Sequence, residues 1–410
     1  VKYILALTTV LALFACGGST VQNTSELTSG DWIIQFHVQD STKSVDIPVH
    51  MNVDSVGNFT LINGSERILV QNYVQQGDSV SAQIKPYLSS LHWKIISKDS
   101  IHGYWQDESR ENYKIAFSAT PFKGSYNETK MWSGKTFDVT FSPECADCSY
   151  KAVGVFSANS NYLTGTFLTE TGDYRYLQGR VDGGDYKSDF YLSCFDGAHL
   201  FYFTGNMVGD SIHNGMFYSG KHYSEKWNAR LDENVTLRDP DSLTFIKTDY
   251  VDFVFDVKNL LGDSVKFDAA DYLGKVTVVQ IMGTWCPNCS DETRFWSAVK
   301  SQLGESLQVV PVAFERGTDT GKQMAALKNY KEQFNLPYEV YLGGEISKDN
   351  ASKVFPALNA VMSYPTSIII DKKGKVRKIH TGFYGPSTGK FHDLYTERLR
   401  MFVEQLLKEG

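Results

Sequence analysis

Trp285-Cys286-Pro287-Asn288-Cys289 decides the reading of this chain. It follows an apolar run, Val276 to Met282, and precedes a segment in which Phe295, Val299 and Leu303 recur at helical spacing. A buried strand, a sharp turn and a helix are therefore predicted around the pair. Two cysteines at that junction can exchange thiol for disulfide, clip a metal or staple the chain. A loop this short constrains the unfolded chain little, so stability is a poor reason for a permanent staple. The strand before the pair, the helix after it, Pro365 downstream and the secretory N-terminus favour exchange over a metal clip.

Working outward, Leu307 to Phe314 is a second buried strand and Gly321 to Phe334 is helical. Thr366 to Ile370 and Val376 to His380 flank a turn at Asp371-Lys372-Lys373-Gly374-Lys375, and Phe391 to Leu407 closes the chain as an amphipathic helix. Val251 to Val257 reads as an entry strand. The order after it is β-α-β-α-β-β-α, with the Cys pair after the first central strand.

That order, the W-C-x-x-C at Trp285 to Cys289, Tyr364-Pro365-Thr366 and Glu292 together resemble the TlpA/ResA-like thiol-disulfide oxidoreductases of the thioredoxin fold. The resemblance covers 249–410. It implies that Pro365 is cis and faces the cysteines, with the Tyr364 backbone open to a client segment, and that Glu292 is an acid near the pair. Buried thioredoxin acid six residues before the first Cys is here Gln280, so a thioredoxin-like proton relay is not expected. The residues agree on roles. Cys286 at a helix N-terminus is the nucleophile, because unpaired N–H groups and the positive helix end lower a thiol's pKa. Cys289, one turn in, resolves the mixed disulfide. Pro287 can start the helix, and Trp285 shields the sulfurs. Glu292 is a candidate for proton transfer to Cys289, and Glu315 a weaker one. No nucleotide, flavin or metal site is legible, so no cofactor is expected.

The preceding two thirds read as strands. Trp32 to Val38 and Val45 to Met51 alternate, and turn signals such as Val56-Gly57-Asn58 and Asn63-Gly64 punctuate the runs. Aromatics are 13% of the 410 residues, which favours β structure. Asn63-Gly64-Ser65-Glu66-Arg67-Ile68-Leu69 is echoed by Thr171-Gly172-Asp173-Tyr174-Arg175-Tyr176-Leu177. Ser100-Ile101-His102-Gly103 is echoed by Ser211-Ile212-His213-Asn214-Gly215. We read a duplicated antiparallel barrel or sandwich, 27–125 and 128–245, ahead of an α/β domain at 249–410. A β-rich extension of this kind also resembles that of some TlpA-like lipoproteins. Cys145-Ala146-Asp147-Cys148 falls at a hairpin tip, where a local disulfide is expected ahead of a second redox pair or a metal. Cys194 reads as a buried free thiol, and the strands Leu200 to Phe203 and Met216 to Tyr218 as core.

Lys2 and the apolar Tyr3 to Leu13 read as a signal peptide, 1–15, and Leu13-Phe14-Ala15-Cys16-Gly17 resembles a lipobox. Cys16 is then lipidated and 16–26 is a tether. The expected location is the cell envelope, anchored to the membrane and facing the periplasm, where disulfides persist. Expected partners are protein disulfide or thiol clients and a membrane thiol carrier as electron donor. The net charge of −7 with no basic block argues against nucleic acid. The competing functions are a thiol oxidase, isomerase or peroxidase of the same fold, or a β-domain binding protein with a passive redox module.

Overall fold

The computed structural model describes residues 27–39, 44–124, 134–158, 162–183 and 187–409. The expected signal peptide, the tether and Cys16 lie outside these residues. Three sheets follow one another along the chain. The first is β1 (Gly30–Gln39), β2 (Ser44–Val53), β3 (Phe59–Asn63), β4 (Glu66–Leu69), β5 (Gln71–Gln76), β6 (Ser79–Gln83), β7 (Ser89–Ser97), β8 (Ser100–Asp107) and β9 (Lys114–Pro121). Its order is β4-β3-β2-β1-β9-β8-β7-β6-β5. Along β1, Trp32, Ile34, Phe36 and Val38 are buried and their neighbours are not, the period-two pattern of a strand with one face on a core.

The second sheet is β10 (Lys135–Phe141), β11 (Tyr150–Ala158), β12 (Leu163–Thr169), β13 (Gly172–Asp173), β14 (Leu177–Gly183), β15 (Lys187–Phe195), β16 (Leu200–Val208), β17 (Ser211–Ser219) and β18 (Tyr223–Leu231). Its order is β11-β10-β18-β17-β16-β15-β14-β12-β13, and an added β11–β12 pairing closes it into a barrel. The repeat expected from the sequence is visible in the pairing: β1 pairs with β9 as β10 pairs with β18, all antiparallel. Aromatic rings fill the second barrel. Phe203 and Phe217 stack at 4.4 Å and Phe167 and Phe203 at 4.5 Å, so these strands build core, as their composition implied. The barrels pack on each other through Asn63, whose side chain bonds both the N–H and the carbonyl of Phe195 at 3.1 Å.

The third sheet holds β19 (Phe255–Lys258), β20 (Ser264–Phe267), β21 (Val276–Met282), β22 (Leu307–Glu315), β23 (Tyr341–Glu345), β24 (Thr366–Ile370) and β25 (Val376–Thr381). Its order is β20-β19-β23-β22-β21-β24-β25. Helices α1 (Ala269–Tyr272), α2 (Pro287–Leu303), α3 (Thr320–Gln333), α4 (Lys348–Val354) and α5 (Lys390–Lys408) complete it. Strand β21 lies between parallel β22 and antiparallel β24. Every residue of β21 is buried, which explains its unbroken apolar run. The entry strand begins later than the sequence pattern suggested, at Phe255, and β23 and α4 add a crossover that the pattern did not reveal. No helix of the described residues is long and apolar enough to cross a membrane.

Candidate active site

Helix α2 begins at the cysteines because Cys286 is its N-cap and Pro287 its first residue. Proline lacks the N–H that would go unpaired there and has a pre-set helical φ. The Cys289 N–H points at Cys286 Sγ, 3.2 Å away. The two sulfurs are bonded to each other. Cys286 is 5% exposed and Cys289 fully buried. Behind them, the Tyr364–Pro365 bond is cis, and the Tyr364 carbonyl oxygen lies 3.7 Å from Cys286 Sγ. Trp285 donates its indole N–H to the Phe314 carbonyl at 2.8 Å and meets the Tyr364 ring edge-on. The Arg316 guanidinium lies over the Trp285 ring, 5.1 Å from its centre.

Glu292 and Glu315 are buried carboxyls near the pair. Glu292, one turn beyond Cys289 on α2, accepts a hydrogen bond from Ser367 Oγ at 2.8 Å through one oxygen, and the other has no hydrogen-bond partner. Burial pushes its pKa up to about 7, against the hydrogen bonds that favour the anion. Glu315 ends β22 and accepts from the backbone N–H and the hydroxyl of Thr284 at 2.8 and 2.7 Å. Burial raises its pKa to about 7 as well. Gln280, in place of an acid, donates to the Cys289 carbonyl at 3.2 Å and accepts from Thr293 at 3.1 Å. It holds α2 on the sheet without carrying a charge.

Residues 250–396 match the Redoxin family. The chain is 29% identical over 128 residues to the thioredoxin-like protein YneN of Bacillus subtilis, covering 31% of this chain and 68% of YneN. It is 29% identical over 114 residues to the thiol-disulfide oxidoreductase ResA of Bacillus thuringiensis, covering 27% of this chain and 57% of ResA. The C-terminal part of the chain is a thioredoxin-like redoxin domain. A thioredoxin-family thiol:disulfide interchange protein of Chlorobium tepidum matches 38% of this chain and 94% of its own at 21% identity, with a TM-score of 0.28.

The redoxin domain does not present its Cys pair to open solvent. Loops of both β barrels form a collar around it. From the second barrel, the turn between β12 and β14 reaches the Cys pair: the Asp173 carbonyl accepts from Asn288 Nδ2 at 3.0 Å, between the two cysteines. Ser363 Oγ donates to the Thr171 carbonyl at 2.8 Å. Asp173 Oδ2 accepts from the Gly385 N–H at 2.6 Å. The approach leaves no room for side chains. A Cβ on Gly172 would lie 2.9 Å from Asn288 Nδ2, and one on Gly382 would lie 2.5 Å from the Thr171 carbonyl carbon. Arg175, two residues on, is buried with φ +65°. It pairs with Asp291 of α2, with Glu66 of the first barrel at 2.8 Å and with Asp196 at 3.6 Å. Burial disfavours its charge, but the three carboxylates outweigh that and raise its pKa well above the usual arginine value. From the first barrel, Asp107 and Ser109 accept from Arg316 at 3.0 and 2.7 Å.

Of the residues predicted from the sequence, Trp285, Cys286, Cys289, Glu292 and Pro365 therefore lie together, and Cys145 and Cys148 do not. The latter are joined in an exposed turn between β10 and β11. Cys194 is a buried free thiol. Asn288, Ser363, Asp291 and Arg175 belong to the site region and escaped sequence reasoning. Arg175 had a signal: it is echoed by Arg67 in the first copy of the turn.

Proposed function

We propose that this chain is a thiol-disulfide oxidoreductase that reduces disulfides of protein clients through Cys286 and Cys289. One observation carries the reading: Cys286 caps α2, and the Cys289 N–H is directed at its sulfur. A helix N-terminus with a donor aimed at the sulfur stabilises a thiolate, the attacking species in exchange. Cys286 attacks, and buried Cys289 resolves. Glu292, with a carboxyl poised near neutral pH, exchanges a proton with Cys289 in this reading. Trp285 and the Tyr364–Pro365 segment wall the sulfur. The names of YneN and ResA point the same way.

The reading extends to the cell envelope. Residues 1–15 are removed, Cys16 carries the lipid, 16–26 tether the chain, and a membrane thiol carrier supplies electrons on the periplasmic side. The units are then 27–125, 128–245 and 249–410, with Cys145–Cys148 a local brace. A Cys289→Ser variant should accumulate a mixed disulfide between Cys286 and a client, visible on non-reducing gels and absent from the double variant with Cys286→Ser. Recovery of no covalent partner sinks the protein-client reading. A reduction potential above that of a glutathione couple would turn the direction from reductase to oxidase.

A further inference from the structure

The collar decides what can reach Cys286. On one side, the Thr171–Arg175 turn lies on Asn288, between the two cysteines, on Ser363, the residue before Tyr364, and on Phe383–Gly385. A strand offered by a folded client to the Tyr364 backbone would meet this turn first. The turn is anchored, since Asp173 bonds Gly385 and Ser387 and Arg175 is held by Asp291 and Glu66. On the other side, a cleft of about 510 Å³ runs between loops of the first barrel and the redoxin domain. Thr284 and Trp285, the two residues before Cys286, line it, with cations from Arg110, Arg316 and Lys322 and carboxyls from Asp107, Glu108, Glu111, Glu315 and Asp319. Its size suits a small ligand or a few residues of extended chain, not a protein surface, and its mixed charge selects for no one sign.

From this geometry we infer that the Thr171–Arg175 turn is a specificity element, and that the redox site takes disulfides on narrow, flexible carriers entering beside Trp285 and rejects those held in folded proteins. This rests on the oxidoreductase reading and names its substrate class. In the exchange, the Cys286 thiolate attacks one client sulfur. The client S–S bond breaks, and its other sulfur leaves as a thiolate that takes up a proton. Cys289 then attacks Cys286 Sγ, forming the intramolecular disulfide and releasing the second client thiol. Two electrons pass to the client, and a dithiol donor restores the pair.

The test uses the full chain, reduced with dithiothreitol and freed of it. Three probes are compared: a folded disulfide protein, a short peptide carrying one disulfide of that protein, and oxidised glutathione. Each rate is divided by that of dithiothreitol on the same probe, which cancels the probe's own accessibility. We expect the normalised rate on the peptide to exceed that on the folded protein at least tenfold. Glutathione faster than the peptide assigns the cleft to small-molecule disulfides, and the reverse assigns it to polypeptide segments. Asp173→Ala frees the turn from Gly385 and Ser387, and Ser363→Ala frees it from the cis-proline loop. Each should raise the folded-to-peptide ratio at least threefold, and the second carries the test if the first does not fold. Equal normalised rates on folded and flexible probes, or an unchanged ratio in the folded variants, overturn the inference while leaving the oxidoreductase reading intact. No reaction with any probe overturns both.

Discussion

The two β barrels run the same nine-strand meander, with first strand paired to last, yet they end differently at their fourth strand. In the first barrel, β4 pairs with β3 from Thr60 to Asn63 and occupies its outer edge. No pairing of β3 with β5 remains to close that sheet. In the second, β13 is only Gly172–Asp173, so β12 keeps a free edge and pairs with β14 from Leu163 to Gly165. Closure and a released Tyr174-Arg175-Tyr176 segment come from the same shortening. The echoed arginines follow suit. Arg67 stays in β4, exposed, bonded to its own turn carbonyls. Arg175 leaves the ladder at a positive φ, a conformation uncommon outside glycine, and enters the redoxin domain. A duplicated turn thus joins the two barrels in one copy and forms the collar of a redox site in the other.

The largest expected effect comes from breaking that contrast. Arg175→Met removes the cation shared by Asp291, Asp196 and part-buried Glu66, leaving Asp291 only the half-exposed Arg294 and Asp196 only His199, and should cost about 3–5 kcal/mol in urea unfolding. Arg67→Met should stay within ~0.5 kcal/mol. Equal costs would mean that the two turns are energetically alike.

A second prediction sharpens the role of the buried acids. Glu66 has Arg175 beside it, whereas Glu292 has a hydroxyl donor and no ion pair. The folded pKa of Glu292, about 7, lies above its ordinary value of 4.5. Its contribution is therefore fully present below pH 4.5 and is lost as pH rises towards and through 7, by roughly 3 kcal/mol for this buried group. Denaturant midpoints measured from pH 4.5 to 8 should fall less steeply in Glu292→Gln than in the parent. Parallel curves would show that Glu292 does not titrate in that window.

The first barrel's hold on the redoxin domain should be weaker. Arg316 remains 17% exposed in its pair with Asp107, so Arg316→Met should cost about 1–2 kcal/mol in the same unfolding assay. A loss as large as that of Arg175→Met would reverse the ranking of the two contacts. The smallest effect is local: amide hydrogen exchange in β4 and β5, the edge strands of the open sheet, should be faster than in β12 and β14. Equal protection would indicate that the first barrel closes in solution.

Much of the redoxin site was legible because its chemistry is local. Trp285, Cys286, Pro287 and Cys289 are contiguous, Glu292 is one helical turn away, and strand and helix periodicities bracket them. Pro365 is remote in sequence, and its placement came from resemblance, not from periodicity. Buried β21 was legible through its apolar run. Harder to read were β23 and α4, since Tyr341-Leu342-Gly343-Gly344-Glu345 has no clean alternation and only Leu342 is buried.

By itself, then, the sequence determined a β-rich repeat, a thioredoxin-like domain and the place of its Cys pair at the start of a helix. Local propensities, period-two and period-3.6 burial and a capping proline act over a few residues, and a single sequence displays them. The tertiary structure alone decided that the second copy closes, that Arg175 joins both barrels to α2, and that a turn of the second barrel walls the Cys pair. Those outcomes depend on which edge of β12 is left unpaired and on carboxylates brought together from Glu66, Asp196 and Asp291. An ion cluster excluded from water is held by the packing of three sheets, and no local pattern in the chain encodes which distant charges will share it.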